Sequence, residues 1–314
     1  MTTYRDQLPQ LDADVFLTDG GLETTLIFDD GLDLPDFAAF ILFGDEEGRA
    51  ALVRYFDSYC EIATRDGLGL VLETATWRAS PDWAESRGYT LEQLDEANRQ
   101  AVELLLDARA RHETPTTPIV VSGCIGPRGD GYRADALMTP KAATEYHTRQ
   151  ARVLADAGAD LITAITMTTP AEAIGVTEAA RAAGLPVVIS FTVETEGVLP
   201  NGDTLAAAIT AVDEATTSYP AYYMVNCAHP THFADVLDGT KPWARRIRGV
   251  RANASKMSHA ELDEAEELDP GDPHELATDY QRLREALPRL TVLGGCCGTG
   301  SAHIAALSAA CARG

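Results

Sequence analysis

Basic residues are scarce in this chain, and long apolar runs are absent. Lys and Arg together number 25 against 48 Asp and Glu in 314 residues, so the formal net charge is −23. Nucleic acids and anionic membranes bind through Lys and Arg, and this charge disfavours both as partners. No apolar stretch reaches about eighteen residues, which argues against a transmembrane helix. The opening residues lack the apolar core of a signal peptide, so we expect a cytoplasmic protein.

Cysteine is also sparse, at six residues in the chain. Six are too few for a disulfide scaffold in a chain this long, and a reducing compartment leaves thiols free for metal binding or chemistry. Pro- or Ser-rich linkers, low-complexity tracts and short repeats are absent as well. With 45% hydrophobic residues, the composition predicts one folded domain over residues 1–314.

Eight short apolar runs alternate with amphipathic segments along the chain. Several of the runs lack polar alternation, as parallel strands buried on both faces do. Eight strand-then-helix units favour a closed (β/α)8 TIM barrel of the α/β class. An open doubly wound sheet is the rival, but no Gly-x-Gly-x-x-Gly turn follows the first run. The predicted strands are residues 15–21, 68–77, 119–127, 160–167, 186–194, 222–230, 247–255 and 291–298.

Prolines and glycines mark where several helices begin and end. Thr139-Pro140, Thr169-Pro170 and Asp272-Pro273 each place a capping side chain before a proline at the first helical position. Gly158 and Gly184 supply the left-handed residue that ends two of those helices.

Three cysteines come at the ends of two predicted strands. Cys227 ends the sixth strand, and Cys296 with Cys297 ends the eighth. The carboxyl ends of the strands of a barrel lie on one face, so we expect the three thiols to meet there. Three thiolates with an open fourth position form a zinc site that can also admit a substrate.

The pairing of Cys296 with Cys297 requires an irregular backbone. Neighbouring residues of a regular strand point to opposite faces, so two adjacent cysteines of a strand could not both reach one ion. We expect Gly294, Gly295 and Gly298 to let the chain bulge or turn at this point.

Two other interpretations of the cysteines stay open. Free cysteine is among the most buried residue types, so all three could be inert core thiols. Cys227, His229 and His232 also form a Cys-x-His-x-x-His set, and histidine is a common zinc ligand. We rank the two histidines as residues that start a helix or support the site, because the Cys pair already completes three ligands.

These motifs resemble those of the homocysteine S-methyltransferases. Asn226-Cys227 and Gly294-Gly-Cys-Cys-Gly298 are similar to the zinc-binding segments of that family, and Asp19-Gly-Gly-Leu-Glu-Thr24 is similar to its opening segment. The resemblance covers nearly the whole chain. It implies a (β/α)8 barrel with Zn²⁺ held by the three cysteines.

The resemblance also implies a set of substrate-binding residues. Asp19, Gly20 and Gly21 match the positions that hold the amino acid part of homocysteine. We expect Trp77 either to present its ring face to a cationic methyl donor or to pack at the top of its strand. The remaining predicted substrate-binding residues are Glu73, Thr74, Arg78, Asn226 and Ile165.

Two of these residues depart from the family pattern. Ile165 stands where relatives carry a glutamate that binds the ammonium group of homocysteine, and an unpaired buried charge costs several kcal/mol. Either Asp19 or Glu73 takes that role, or the acceptor is a different thiol. Arg78 stands where relatives tend to have Gln or Tyr beside the donor, and a cation there is unfavourable for a sulfonium or ammonium donor unless Glu73 neutralises it.

The leading hypothesis is a zinc-dependent S-methyltransferase. It transfers a methyl group from a sulfonium or betaine-like donor to a zinc-bound thiol, with homocysteine giving methionine. Its partners are then two small molecules, the thiol acceptor and the methyl donor. The alternatives are a methyltransferase for another thiol, a zinc hydrolase, for which three thiolates make a poor Lewis acid, and a non-catalytic barrel stabilised by zinc.

Overall fold

Eight parallel strands form a closed barrel in a computed structural model that describes residues 4–135, 137–265 and 267–312. Each strand pairs with the next in chain order, and β8 pairs with β1. The predicted (β/α)8 fold is therefore confirmed. The strands are β1 Phe16–Thr18, β2 Gly69–Glu73, β3 Ile119–Ile125, β4 Leu161–Met167, β5 Val187–Thr192, β6 Tyr222–Asn226, β7 Ile247–Ala252 and β8 Val292–Gly295.

Helices follow the strands and cover the outside of the barrel. Among the residues described, no helix is long and apolar enough to cross a membrane. The α-helices are α1 Leu22–Thr24, α2 Glu46–Asp66, α3 Pro81–Ser86, α4 Leu91–His112, α5 Pro140–Ala157, α6 Pro170–Ala182, α7 Leu205–Thr216, α8 His259–Glu264, α9 Pro273–Ala286 and α10 Ser301–Cys311. Short 3-10 helices span Pro9–Leu11, Pro35–Phe37, Ala39–Gly44, Pro230–His232, Ala234–Val236 and Ala244–Arg246, and a π-helix spans Thr25–Asp29.

The predicted helix punctuation is confirmed. Thr139, Thr169 and Asp272 each accept a hydrogen bond from a backbone N–H of the helix they precede. Gly158 ends α5 with a φ of 108°, and Gly184 follows α6 with a φ of 71°. These side chains and glycines satisfy backbone groups at the helix ends, which otherwise lack partners.

The barrel interior is apolar at one end and polar at the other. The apolar end is closed by Leu8 of the N-terminal segment, which packs against side chains that point into the barrel from seven strands. Toward the carboxyl ends of the strands, the interior side chains are polar: Glu73, Ser122, Thr163, Ser190, Asn226 and Arg251. The polar end is thus the end at which a barrel of this type carries its active site. The apolar interior residues are Phe16, Val71, Val120, Leu161, Val188, Tyr222, Met224 and Val292.

The contact between α5 and α6 depends on a glycine. A Cβ at Gly175 would overlap the Cβ and backbone of Ala143, so the two helices could not approach as closely. We expect Gly175→Ala to lower the free energy of unfolding by about 1–3 kcal/mol through overpacking, despite the better helix propensity of alanine. Urea unfolding would measure the loss. Gly44→Ala is the control, since its Cβ would meet only the Tyr89 hydroxyl at 3.6 Å; equal effects of the two variants would contradict the packing argument.

Candidate metal and substrate site

Three cysteine sulfurs lie together at the polar end of the barrel. The Sγ atoms of Cys227, Cys296 and Cys297 are all within 4.8 Å of one another. Sγ of Cys227 is 3.9 Å from Sγ of Cys297. Cys227 and Cys296 are paired as a disulfide in this structure, with Cα atoms 5.5 Å apart, and Cys297 is a free thiol. The expectation that the strand ends bring the three cysteines together is met, whereas the expectation of three free thiols holds only for Cys297.

The backbone that carries Cys296 and Cys297 turns rather than bulges, which is one of the two forms predicted. The β7–β8 register is regular up to the Ala252–Gly295 pair, so the strand ends before the cysteines and its alternation does not apply to them. Gly298 takes a φ of 77° in the turn that follows. A Cβ at Gly294 would overlap the Thr18 hydroxyl, which shows that this glycine serves close packing rather than a bulge.

The sulfur arrangement fits a zinc ion. Tetrahedral coordination with Zn–S bonds of about 2.3 Å places ligand sulfurs about 3.8 Å apart, close to the 3.9 Å between Cys227 and Cys297. Reduction of the Cys227–Cys296 pair would give the set three thiols. Burial raises the pKa of the Cys297 thiol, opposed by the Tyr132 hydrogen bond. A metal cation would be needed to hold this thiol as a thiolate at neutral pH.

Tyr132 covers the sulfurs from the segment between β3 and α5. Its hydroxyl lies 3.6 Å from Sγ of Cys227 and 3.5 Å from Sγ of Cys297. Its ring packs against His259, whose Nδ1 lies 3.1 Å from Oε1 of Glu194. His259 Nε2 also contacts the carbonyl oxygen of Cys227. These contacts fix the tyrosine over the sulfur cluster.

Asp19 lies at the end of β1 and is paired with an arginine from β7. Arg251 Nη1 is 3.0 Å from Oδ1 of Asp19, and the Tyr55 hydroxyl donates to Oδ2 at 3.2 Å. Arg251 Nε and Nη2 donate to the carbonyl oxygens of Gly295 and Gly20. Burial lowers the pKa of Arg251, but Asp19 and Glu73 outweigh it and raise this pKa overall. The arginine therefore joins β1, β7 and β8 and neutralises Asp19.

Glu73 is buried at the end of β2 near the same arginine. Its Oε1 is 4.0 Å from Arg251 Nη1, and its Oε2 has no hydrogen-bond partner among the described residues. Burial raises the pKa of Glu73 to about 7, while Arg251 opposes the rise. The adjacent Thr74 has a structural contact instead: its hydroxyl accepts a hydrogen bond from the Cys124 backbone N–H and thereby links the end of β2 to β3.

Trp77 and Arg78 form a stack at the rim, in the segment between β2 and α3. The Arg78 guanidinium lies 3.9 Å from the ring centre of Trp77 and 4.0 Å from that of Trp83. Arg78 Nη1 donates to the Gly129 carbonyl oxygen, and burial lowers the pKa of Arg78 to about 10. One face of Trp77 is thus covered by the chain's own cation. Glu73 pairs with Arg251, and among the described residues it forms no ion pair with Arg78. The condition under which Arg78 would suit a cationic donor, neutralisation by Glu73, is therefore not met.

Ile165 lies at an irregular point of β4. The β4–β5 register shifts between Ala164 and Met167, and Thr166 has a φ of 63°, which is rare for a β-branched residue. Asn226 holds this turn: its Oδ1 accepts from the Thr166 backbone N–H at 3.0 Å, and its Nδ2 donates to the Thr166 hydroxyl at 2.9 Å. Asn226 Nδ2 is also 4.0 Å from Sγ of Cys296. The asparagine therefore couples the irregular β4 end to the sulfur cluster.

Gly20 and Gly21 place the start of α1 against the cysteine turn. A Cβ at Gly21 would overlap the Cys296 carbonyl oxygen, and one at Gly20 would crowd the Thr299 carbonyl and the Tyr59 hydroxyl. The Gly21 backbone N–H donates to the Thr299 carbonyl oxygen at 2.9 Å. Both positions thus require glycine for close approach.

The two histidines of the alternative ligand set are bound to other groups and do not belong to the sulfur cluster. His229 accepts from the Thr231 backbone N–H, as a residue that starts the short helix Pro230–His232, and burial lowers its pKa to about 4. His232 Nε2 lies 2.8 Å from the Lys256 carbonyl oxygen. Among the described residues, the group able to hold a metal consists of the three cysteines alone.

Three residues near the sulfurs were missed by the sequence prediction. The sequence does carry a signal for Arg251, because a cation within a buried strand requires a carboxylate partner. Glu23 lies two residues after the Asp-Gly-Gly segment and within electrostatic range of Asp19, Arg251 and Arg78. Tyr132 had no signal, since its segment has no regular structure that would predict its direction.

Comparison with known proteins gives the family. The sequence profile described as homocysteine S-methyltransferase matches residues 16–311. This chain belongs to the homocysteine S-methyltransferase family. The chain is therefore a methyltransferase, and methyl transfer to a thiol or a selenol is the chemistry named for its relatives.

Two curated relatives illustrate the range of the family. Homocysteine S-methyltransferase 3 of Zea mays is 25% identical over 306 residues, which cover 90% of this chain and 85% of that protein. Selenocysteine Se-methyltransferase of Brassica oleracea var. italica is 25% identical over 260 residues, which cover 76% and 73% respectively.

The fold has a close counterpart among solved structures. The metallated form of the homocysteine methyltransferase MmuM from Escherichia coli superposes with a TM-score of 0.77 at 24% identity, covering 96% of this chain and 98% of that chain. An oxidised form of the same protein superposes with a TM-score of 0.76. At this identity the likeness establishes the (β/α)8 fold.

Proposed function

We propose that this protein is a zinc-dependent homocysteine S-methyltransferase that uses a sulfonium or betaine-like methyl donor and yields methionine. The observation that carries the proposal is the cluster of three cysteine sulfurs within 4.8 Å at the polar end of the barrel. The family match and the maize relative, which is named a homocysteine S-methyltransferase, support homocysteine as acceptor. In this proposal the whole chain acts as one catalytic domain.

Cys227, Cys296 and Cys297 are the residues that would hold zinc, after reduction of the Cys227–Cys296 pair. The spacing of their sulfurs supports a metal at this position, and the existence of a metallated form of MmuM supports a metal in this fold. When bound, zinc would lower the pKa of the acceptor thiol and hold it as a thiolate at neutral pH. Three thiolate ligands would make a bound zinc a weak Lewis acid, which suits a nucleophilic substrate sulfur better than the activation of water for hydrolysis.

The chain's own residues position two reactants for an in-line displacement. The acceptor sulfur attacks the methyl carbon, a new S–C bond forms, and the donor's bond to that carbon breaks with its electron pair returning to the donor heteroatom. Orientation of the two molecules is the main contribution of the protein to such a reaction. In our proposal Asp19, Gly20 and Gly21 face the acceptor, and Trp77 with Arg78 faces the donor.

Another thiol or a selenol is the second candidate acceptor. Ile165 places an apolar side chain at the irregular end of β4, where it offers no charge to an ammonium group. The selenocysteine methyltransferase of Brassica shows that relatives are named for other acceptors. A zinc hydrolase and a non-catalytic barrel have no comparable support, because the family is one of methyltransferases.

An assay of the reduced protein tests the proposal. The chain would be purified with a phosphine reductant, and its zinc content would be measured by elemental analysis. Homocysteine, cysteine and selenocysteine would each be paired with S-methylmethionine, betaine and S-adenosylmethionine, and methylated products quantified by mass spectrometry. We expect about one zinc per chain and the highest kcat/KM with homocysteine. Turnover restricted to another acceptor would overturn the assignment of homocysteine, and full turnover after chelation would overturn that of zinc.

A further inference from the structure

We infer that Glu23 binds the ammonium group of the acceptor, so that it selects thiols carrying an amino group on the same molecule. The inference rests on the proposed function and adds a specificity-determining residue to it. It comes from the placement of Glu23, from the engagement of the other acidic groups around the sulfurs, and from the charges that surround its carboxylate.

The backbone around Glu23 is fixed against the cysteine turn on both sides. Gly21 donates its N–H to the Thr299 carbonyl oxygen at 2.9 Å, and the Thr24 hydroxyl accepts from the Gly298 backbone N–H at 3.1 Å. Glu23 lies between these two contacts, in α1. Its carboxylate is close enough to the Cys297 thiol to raise the pKa of that thiol. The side chain is partly exposed, so a ligand can reach it.

The other carboxylates of this end of the barrel each lie beside a cation, a histidine or a hydrogen-bond donor, although Oε2 of Glu73 has no hydrogen-bond partner among the described residues. Asp19 is held by Arg251 and Tyr55, and Glu73 lies 4.0 Å from the same arginine. Glu194 contacts His259, and Asp130 accepts from the Tyr132 backbone N–H. Arg251 thus occupies the place beside Asp19 and Glu73 that a substrate ammonium would otherwise take.

Glu23 differs from these acids because its side chain is partly exposed and has no ion-pair contact among the described residues. Among the described residues, no other residue forms a hydrogen bond or an ion pair with its carboxylate. Burial raises the pKa of Glu23 to about 7, opposed by a hydrogen bond from its own backbone N–H and, more weakly, by Arg251 and Arg78. An ammonium group beside it would remove this penalty. Asp19 lies within electrostatic range and adds negative charge beside this carboxylate, which favours a cationic group as its ligand.

Substrate analogues make the test specific to the ammonium group. Homocysteine would be compared with 4-mercaptobutanoic acid, which has the same thiol and carboxylate but no amino group. We expect Glu23→Gln to raise the KM for homocysteine about 30-fold and to leave that for 4-mercaptobutanoic acid unchanged, because only homocysteine loses a charged partner. Glu23→Asp, which keeps the charge, should recover part of the affinity. Glu47→Gln, an exposed acid on α2, is the matched control.

Zinc content, melting temperature and the calorimetric affinity for homocysteine would be recorded for each variant. If the parent turns over homocysteine and Glu23→Gln keeps its KM, the role of Glu23 is overturned while the proposed function stands. A rise in the KM of the methyl donor alone would also overturn it. If the parent does not turn over homocysteine, the proposed function fails. In that case the role of Glu23 is tested by calorimetry alone, and equal affinities of parent and Glu23→Gln for homocysteine would reject it. Should Glu23→Gln not fold, Glu23→Asp and the parent replace it in the test. A parent that does not prefer homocysteine to 4-mercaptobutanoic acid, or a Glu23→Asp variant with an unchanged preference, would overturn the role of Glu23.

Discussion

Cys297→Ser is expected to purify with little zinc and to lose at least about 100-fold in kcat/KM. Substitution of a residue that only hydrogen-bonds to a metal ligand typically lowers metal affinity or activity about 10–100-fold. Loss of a ligand itself should therefore lower activity about 100-fold or more. Serine keeps the size of the side chain but binds zinc poorly, because its hydroxyl is not ionised at neutral pH. Cys297 is the best of the three cysteines to substitute, because it lies outside the Cys227–Cys296 pair and its loss leaves that pair intact.

The zinc content of reduced Cys297→Ser would be measured by elemental analysis, alongside methyl transfer to homocysteine. Cys311→Ala is the control, because it removes a buried thiol from α10 without touching the sulfur cluster. Full zinc content and activity in Cys297→Ser would remove this residue from the ligand set. His232→Ala should keep its zinc, since that histidine contacts the Lys256 carbonyl oxygen instead.

Arg251→Met is expected to lower the free energy of unfolding by about 3–5 kcal/mol at pH 8. The substitution removes the cation partner of two buried carboxylates, Asp19 and Glu73, and an uncompensated buried charge carries a penalty of this size. Methionine approximates the length of the arginine stem, so lost packing contributes little. Because Arg251 also links β1 to β7 and β8, we expect activity to fall with stability.

The effect of Arg251→Met should depend on pH in a defined direction. In the parent, burial raises the pKa of Glu73 from 4.5 to about 7, so ionising this group costs stability as the pH rises through that range. Arg251 opposes the rise, and without it the pKa of Glu73 moves higher still. The loss in Arg251→Met should therefore be larger at pH 8 than at pH 5, where the protonated carboxyl needs no partner.

Urea unfolding at pH 5 and pH 8 would measure both effects. Arg149→Met is the control, since its pair with Asp95 is partly exposed and should contribute no more than about 1 kcal/mol. Equal losses in the two variants, or a loss in Arg251→Met that grows on acidification, would contradict the assignment of Arg251 as the compensating charge.

The predicted carboxyl ends of two strands lie several residues beyond the observed ones. The predicted strand 68–77 is observed as Gly69–Glu73, and the predicted strand 222–230 as Tyr222–Asn226. Both predictions run on into the segments that carry the site, because residues such as Thr74 and Cys227 are buried although they lie outside the strands. Cys227 has a φ of 54°, which no apolar pattern reveals. Burial is therefore predictable here, and the point at which the backbone leaves the sheet is not.

The sequence by itself determined the barrel, its eight units and the meeting of three cysteines on one face, because the order of strands fixes which ends share a rim. Only the tertiary structure decided which charges compensate one another. Arg251 and Asp19 are 232 residues apart in the chain, yet their side chains are 3.0 Å apart in the barrel. That pairing follows from the closure of β1 against β8 and from the inward direction of alternate side chains, and it leaves Glu23 without an ion-pair contact among the described residues.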